Sequence, residues 1–137
     1  MDVKVNYAAV AVAAVVMFFI GFLWYSVLFQ AQWMAYTGVA MDQQMSGAEM
    51  GMTFGGSLVA YLIVFYVQTH VHHAFQVNDV KGAVQAAFWN WLGFILTAMF
   101  VTNAYQMKSF GLTLVDSSYW LVSMIAGGII LQKMKKQ

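Results

Sequence analysis

Asp116 is the residue whose position points most directly to chemistry, because it is the one charged side chain inside a long apolar run. An ionisable group within a membrane span is costly, so it generally marks an ion pathway, a ligand site or a specific partner. A functional interpretation makes Asp116 a proton- or cation-responsive carboxylate. A structural interpretation pairs it with Lys108, or lets it reach water and cap the nearby start of its helix. The short distance to the loop favours the structural interpretation.

A cluster of three histidines is the second candidate site. On a helix His70 and His73 share a face while His72 points elsewhere, so two ligands converge. Tetrahedral zinc takes three or four ligands, and because the sequence has no Cys, Asp79 or Asp2 would have to supply another. Histidines that are simply hydrated near a membrane surface are the alternative, and the sequence favours it. A role in pH sensing is open, with no specific support.

Methionines are frequent after the first apolar run, and two of them, Met41 and Met45, flank a polar stretch. Thioethers are soft ligands, so such a segment is a candidate site for Cu(I). Alternatively, flexible methionine side chains pack an amphipathic loop against the membrane. We favour the second interpretation and therefore predict no cofactor.

The elements that must position these residues are predicted from the hydropathy of the chain. Its 137 residues are 62% hydrophobic and only 8% charged, and the mean hydropathy is +0.70. The charges are bunched, and the apolar runs between them reach the roughly 20 residues that cross a hydrocarbon core as a helix. They lack the alternation of a membrane barrel. We predict an all-α, four-helix transmembrane bundle forming a single domain over residues 1–137, with spans at approximately 5–29, 47–75, 81–106 and 112–132.

Local motifs predict where several helices begin and end. Ser46 and Glu49 have the spacing of a capping box, which would start the second span near residue 47. Asp79 is a candidate N-cap of the third span. Gly38 is a candidate C-cap, and it would make Gln30–Thr37 either a continuation of the first helix or a short helix at the membrane surface.

Small residues recur at helical spacing in every predicted span. In membranes such residues let two helices approach closely, so they predict helix-packing faces. The candidate packing residues are Gly21, Gly51, Gly55, Gly56, Ala60, Gly93 and Gly127.

The distribution of lysines predicts the orientation of the bundle. Four spans place both termini on one side, and that side carries most of the lysines, with Lys108 alone on the other. The positive-inside rule then makes the termini cytoplasmic. A group of polar and aromatic residues falls at the opposite, outer end and is the candidate ligand, partner or ion-path site: Trp24, Tyr25, Ser26, Asn103, Tyr105, Lys108, Asp116 and Tyr119.

Two segments carry a resemblance to a known family. The residues Gly21-x-x-Trp24-Tyr25-Ser26, followed by Phe29, Trp33-Met34 and Gly38, resemble the opening of an uncharacterised family of small four-span bacterial inner-membrane proteins. The segment 116–122 resembles the last helix of the same family. Members typically have Pro where this chain has Val27, and Gly where it has Ser118. The resemblance implies a multi-pass protein of the bacterial inner membrane and implies no activity.

Several functional classes are disfavoured by what the sequence lacks. No G-x-S-x-G, H-E-x-x-H or phosphate-loop motif occurs, so we predict that the protein is not an enzyme. There is no Arg, which four-span glutathione enzymes use, and no acid in the first span, which small multidrug exporters use. A net charge of +1 gives no reason to expect nucleic acid. We predict a structural, accessory or partner-binding membrane protein, in contact with lipids and in a homo-oligomer or larger membrane complex. A small transporter or channel using Asp116 near a polar path is the alternative.

Overall fold

The computed structural model describes residues 2–39 and 45–135, and the described part is built from helices. Four of the helices are long and apolar enough to cross a membrane: α1 (Tyr7–Leu28), α3 (Gly47–Ala74), α4 (Val80–Tyr105) and α5 (Phe110–Lys133). A shorter helix, α2 (Gln30–Thr37), follows α1. The candidate copper ligand Met41 lies outside the described residues.

The last helix, α5, is the central element of the bundle. It packs along both α1 and α4, and α3 packs mainly on α1. Both termini lie at one end, here called the termini end, where the side-chain amide of Asn6 donates to the carbonyl oxygen of Met134 at 2.7 Å. Lys135 reaches the loop between α3 and α4 at the same end and donates to the Val77 carbonyl oxygen at 2.9 Å. The opposite end, here called the loop end, carries α2 and the start of α5.

The helix ends confirm the motifs that predicted them. Ser46 and Glu49 form the reciprocal capping box, and the Asp79 carboxylate accepts the Gly82 amide proton at 2.7 Å. Gly38 ends α2 with φ +74°, a left-handed conformation that glycine adopts without steric cost. Between α1 and α2 the backbone leaves helical geometry at Phe29, with φ −124° and ψ 22°. Thus α2 is a separate helix and not a continuation of α1.

Replacing Asp79 with alanine should lower the free energy of unfolding by about 0.5–2 kcal/mol, because the first turn of α4 loses its side-chain acceptor. Asp79→Asn is the matched control, since asparagine caps about equally well. Unfolding in mixed detergent micelles measures both variants. Equal losses for the two would show that charge, and not capping, is what Asp79 contributes.

Close helix packing involves only some of the predicted small residues. A Cβ atom at Gly127 would overlap the ring of Phe65, and one at Gly21 would lie 3.0 Å from the Tyr119 hydroxyl oxygen. The others do not pack against another helix within residues 2–39 and 45–135: Cβ atoms at Gly51, Gly55, Gly56 and Gly93 would meet nothing there within 4 Å, and Ala60 is exposed. The reason is that α3 contacts the bundle along a different face, the one that carries Phe65.

Candidate functional site: an aromatic box around Asp116

A wide turn at the loop end of α1 brings two neighbouring aromatic residues to α5. Residues Trp24–Leu28 form a π-helical turn, closed by the bond from the Phe29 amide to the Trp24 carbonyl oxygen at 2.8 Å. The indole N–H of Trp24 donates to the Val115 carbonyl oxygen at 3.0 Å. Tyr25 donates its hydroxyl proton to Oδ1 of Asp116 at 2.7 Å. Such turns are frequent at functional sites, where an extra residue per turn redirects side chains.

Asp116 is half-buried and its hydrogen-bond partner is Tyr25, not the predicted Lys108. Nor does Asp116 cap α5. The helix begins at Phe110, where the Ser109 hydroxyl accepts the Gly111 amide proton, and Asp116 lies nearly two turns further along. Among the described residues Asp116 therefore forms neither a direct ion pair with Lys108 nor an N-cap, because α1 presents a phenol at the depth of the carboxylate. Lys108 acts on the carboxylate only as a more distant charge.

A cavity of about 300 Å³ opens beside the carboxylate, and each of the five helices contributes to it. It will be called the aromatic box. Its lining consists of Asp116 and residues that are mainly aromatic: Tyr25 from α1, Trp33 from α2, Tyr61 from α3, Met99 from α4, and Tyr119 and Trp120 from α5.

The five rings of the box are joined in one series of edge-to-face contacts. In order they are Trp33, Tyr25, Tyr119, Trp120 and Tyr61, with centroid separations of 5.9, 5.4, 6.3 and 6.1 Å. The interplanar angles lie between 66° and 78°. This arrangement is the one that ring quadrupoles favour, and each such pair contributes about 0.5–1.5 kcal/mol beyond area burial. The rings therefore hold one another in place around the carboxylate.

Tyr119 is the buried centre of this site. Its hydroxyl lies 2.9 Å from the Met17 carbonyl oxygen, to which it donates, and 3.0 Å from the Tyr61 hydroxyl. Its ring edge rests on Gly21, where a side chain would crowd the hydroxyl. One phenol thus joins α1, α3 and α5 at a single depth.

A second cavity, of about 480 Å³, adjoins the box between α1 and α3 and will be called the apolar groove. It shares three residues with the box: Tyr25, Tyr61 and Tyr119. Its remaining lining is mostly apolar or small: Phe18, Gly21, Phe22, Ser26, Thr53, Phe54 and Ser57. An aromatic cavity that contains a carboxylate therefore shares three wall residues with an apolar one.

The structure divides the predicted outer cluster. Tyr25, Asp116 and Tyr119 line the box, and Ser26 lines the groove. Trp24 does not line the box but hydrogen-bonds α1 to α5 next to it. The others lie elsewhere: Asn103 donates to the Thr113 hydroxyl at 2.9 Å, Tyr105 is 87% exposed, and Lys108 is exposed in the last loop.

Sequence reasoning did not assign Trp33, Tyr61, Met99 or Trp120 to the site. A Trp at that depth commonly serves as an anchor at the membrane surface, so its type and position did not mark Trp33 as part of a site. The other three come from three different helices, and their convergence depends on how those helices rotate in the bundle. A polar aromatic on an apolar span, as at Tyr61, was the one available signal.

The three histidines differ in their surroundings. His72 is buried, His73 is exposed, and the ring of His70 packs against Tyr66 with centroids 4.7 Å apart and an interplanar angle of 52°. The pairing of His70 and His73 as metal ligands stays a prediction. In residues 2–39 and 45–135 no group of three or more His, Cys, Asp or Glu is placed to hold a metal. Met45 is exposed at the edge of the described segment.

An aromatic lining around one carboxylate is suited to a positively charged group. The π-faces attract a cation, with about 0.5–2 kcal/mol for each favourable ring, and the carboxylate supplies the opposite charge.

Comparison with known proteins places the chain in a family. Searches of curated proteins and of solved structures gave no match. A family model described as a protein of unknown function, DUF1761, matches residues 8–132, which is nearly the whole chain. This confirms the predicted relation to an uncharacterised family, although the match carries no information on source or activity. The chain belongs to the DUF1761 family of proteins of unknown function.

Proposed function

We propose that this protein is a small integral membrane protein that binds an amphipathic organic cation, with the ammonium head in the aromatic box and the apolar part in the groove. The observation that carries the proposal is the placement of Asp116 inside a series of five aromatic rings. An ionised carboxylate that is half-buried within a membrane span is costly, and a purely structural contact could be made by a neutral side chain.

The Tyr25 hydrogen bond supports this proposal. It satisfies one carboxylate oxygen with a neutral donor, and among the described residues the nearby Lys108 makes no direct ion pair with the carboxylate. An incoming cation then supplies a counter-charge in direct contact. The adjoining groove, lined by Phe18, Phe22 and Phe54, would bind an alkyl tail. Each buried CH₂ of that tail would contribute about 0.8 kcal/mol to the binding free energy.

Asp116→Asn should weaken binding of hexyltrimethylammonium by about tenfold or more, which corresponds to about 1.4 kcal/mol. Asparagine keeps the size and an acceptor for Tyr25 and removes the charge. Isothermal titration of the protein in a non-ionic detergent measures the affinity. The matched control is Asp79→Asn, the same substitution in the loop at the termini end, which should leave the affinity unchanged.

Neutral probes separate charge recognition from apolar binding. Choline should bind the unchanged protein more tightly than 3,3-dimethylbutanol, its uncharged isostere, and this preference should vanish in Asp116→Asn. Equal binding of the two probes by the unchanged protein would contradict the proposal.

The ammonium group that the box would bind could belong to a lipid headgroup or to a free amphipathic amine. Native mass spectrometry of protein released from phosphatidylcholine nanodiscs distinguishes them. A retained lipid that Asp116→Asn loses identifies the headgroup. Binding of hexyltrimethylammonium without lipid retention identifies the free amine. If neither is bound, the box is not a cation site.

We also propose that the bundle associates into a homo-oligomer or a larger membrane complex, with its termini on the cytoplasmic side of the bacterial inner membrane. The support is the exposed face of α3, where Gly51, Gly55 and Gly56 contact no other part of the described chain. Small residues on a lipid-exposed face allow a second helix to approach closely. The same nanodisc spectra give the subunit number.

A further inference from the structure

Buried polar groups face one another along α3 and α5 on the termini side of the aromatic box. Gln68 and His72 of α3 are 5% and 6% exposed, and Ser123 of α5 is 1% exposed. Two side-chain atoms here are buried without a hydrogen-bond partner among the described residues, Oε1 of Gln68 and Nε2 of His72. Ser123 lies beside the Tyr119 hydroxyl. Leaving a buried polar atom unsatisfied costs about 1–3 kcal/mol, so two on neighbouring turns of α3 need a common explanation.

Gln68 and His72 occupy the place where a side chain of α5 at position 128 would stand. The Gln68 amide nitrogen donates to the Met124 carbonyl oxygen at 3.1 Å, which fixes it against α5. A Cβ atom at Gly128 would lie 2.8 Å from that nitrogen and 3.6 Å from Nε2 of His72. Because position 128 has no side chain, both polar groups can project toward the α5 backbone. Buried water typically occupies sites with several polar atoms that have no protein partner.

The polar series follows one face of each helix. On α5 it begins at Asp116 and Tyr119 and continues one turn later at Ser123, whereas Gln132 lies on the opposite face of the helix. On α3 it runs from Tyr61 through Gln68 to His72, which lie on one helical face.

At the termini end the series opens into a cavity of about 270 Å³ that His72 lines. The polar and charged residues facing His72 across this cavity are Asp2, Lys4, Asn6, Thr69, His73 and Lys135. The cavity is thus a polar vestibule that joins the innermost imidazole to the surface beside the chain termini.

One apolar side chain interrupts the series. Phe65 is fully buried and its ring fills the space above Gly127, between Ser123 on one side and Gln68 on the other. Apolar constrictions of this kind stop conduction in channels by excluding water.

We propose that these facing polar groups of α3 and α5 form a proton path between the vestibule and the Asp116 carboxylate, with Phe65 as its constriction. Water beside Gln68, His72 and Ser123 carries the proton along hydrogen bonds. Each water molecule, hydroxyl group and imidazole accepts one proton as it releases another, and the Gln68 amide only orients the water, so no bond other than those to hydrogen changes. Imidazole suits the entry position because one ring nitrogen accepts while the other donates.

This inference goes beyond cation binding, and it is tested without any organic cation. Purified protein is reconstituted into vesicles that contain a pH-sensitive dye, and a potassium gradient with valinomycin drives protons inward. The initial acidification rate per protein is compared with that of protein-free vesicles. The two proposals are tested independently. An absent proton flux would not affect the result of the hexyltrimethylammonium titration, and absent cation binding would not affect the proton flux.

Gln68→Leu should lower the protein-dependent flux by about tenfold or more, because leucine removes both polar atoms at the narrow part of the path. The control is Gln85→Leu, the same substitution at an exposed position of α4. Ser123→Ala should also lower the flux, and Phe65→Ala should raise it. If Gln68→Leu does not fold, Gln68→Met keeps the side-chain length and serves the same comparison.

Two results would overturn the proposal. The first is a flux through Gln68→Leu equal to that of the unchanged protein when the unchanged protein conducts above empty vesicles. The second is a flux no greater than that of empty vesicles for both the unchanged protein and Phe65→Ala. A silent unchanged protein with a conducting Phe65→Ala variant would support a path that Phe65 keeps closed.

Discussion

Gly127→Ala is expected to lower the free energy of unfolding by about 1–3 kcal/mol, the usual cost of overpacking a tight core. The added methyl group would overlap the ring of Phe65, which is fully buried and has no free space to enter. Either the ring leaves its preferred rotamer or α3 and α5 separate. Unfolding in mixed detergent micelles measures the loss.

Two further variants make this expectation specific. Gly93→Ala is the same substitution at an exposed helical position with no atom within 4 Å, and it should be neutral or stabilise by up to about 1 kcal/mol. In a Phe65→Ala background Gly127→Ala should cost far less, because the ring that it meets has been removed. A cost at Gly127 no greater than that at Gly93 would show that the Phe65 contact does not set the distance between α3 and α5.

Met17→Ala is expected to lower the free energy of unfolding by about 2–5 kcal/mol. Met17 is 0% exposed and belongs to the central cluster with Phe65 and Tyr119, where α1, α3 and α5 meet. Truncation leaves a cavity that three helices cannot close together, and the same micelle assay detects it. Because Met17 also positions the carbonyl oxygen that accepts from Tyr119, hexyltrimethylammonium affinity should fall with stability.

Met52→Ala is the matched control for this truncation. Met52 is 81% exposed on α3, so the unfolding free energy of the single chain should change by less than about 0.5 kcal/mol. In an assembly that covers α3, the same variant should reduce association while leaving the fold intact. A Met17→Ala variant as stable as Met52→Ala would contradict the packing of the central cluster.

The sequence alone determined the local and one-dimensional features of this protein. Runs of apolar residues specified four helices of membrane-spanning length, because a buried backbone in lipid must satisfy its hydrogen bonds within each segment. Short-range motifs specified helix ends at Ser46, Asp79 and Gly38, since capping depends on residues only a few positions apart. Asp116 was identified as a candidate because a carboxylate within a membrane span is energetically costly. This argument does not depend on which residues surround it.

Only the tertiary structure decided what surrounds that carboxylate. The partner of Asp116 depends on a π-turn that directs Tyr25 toward α5, and sequence periodicity assumes a regular helix. Likewise, which of three adjacent histidines is buried depends on the rotation of α3 against α5. In a chain that is apolar on nearly every side, hydrophobic periodicity does not specify that rotation. The rotation is set by the fit of Phe65 against Gly127, which has no side chain. With Phe65 in this position, Tyr61 faces the box and His72 faces the vestibule.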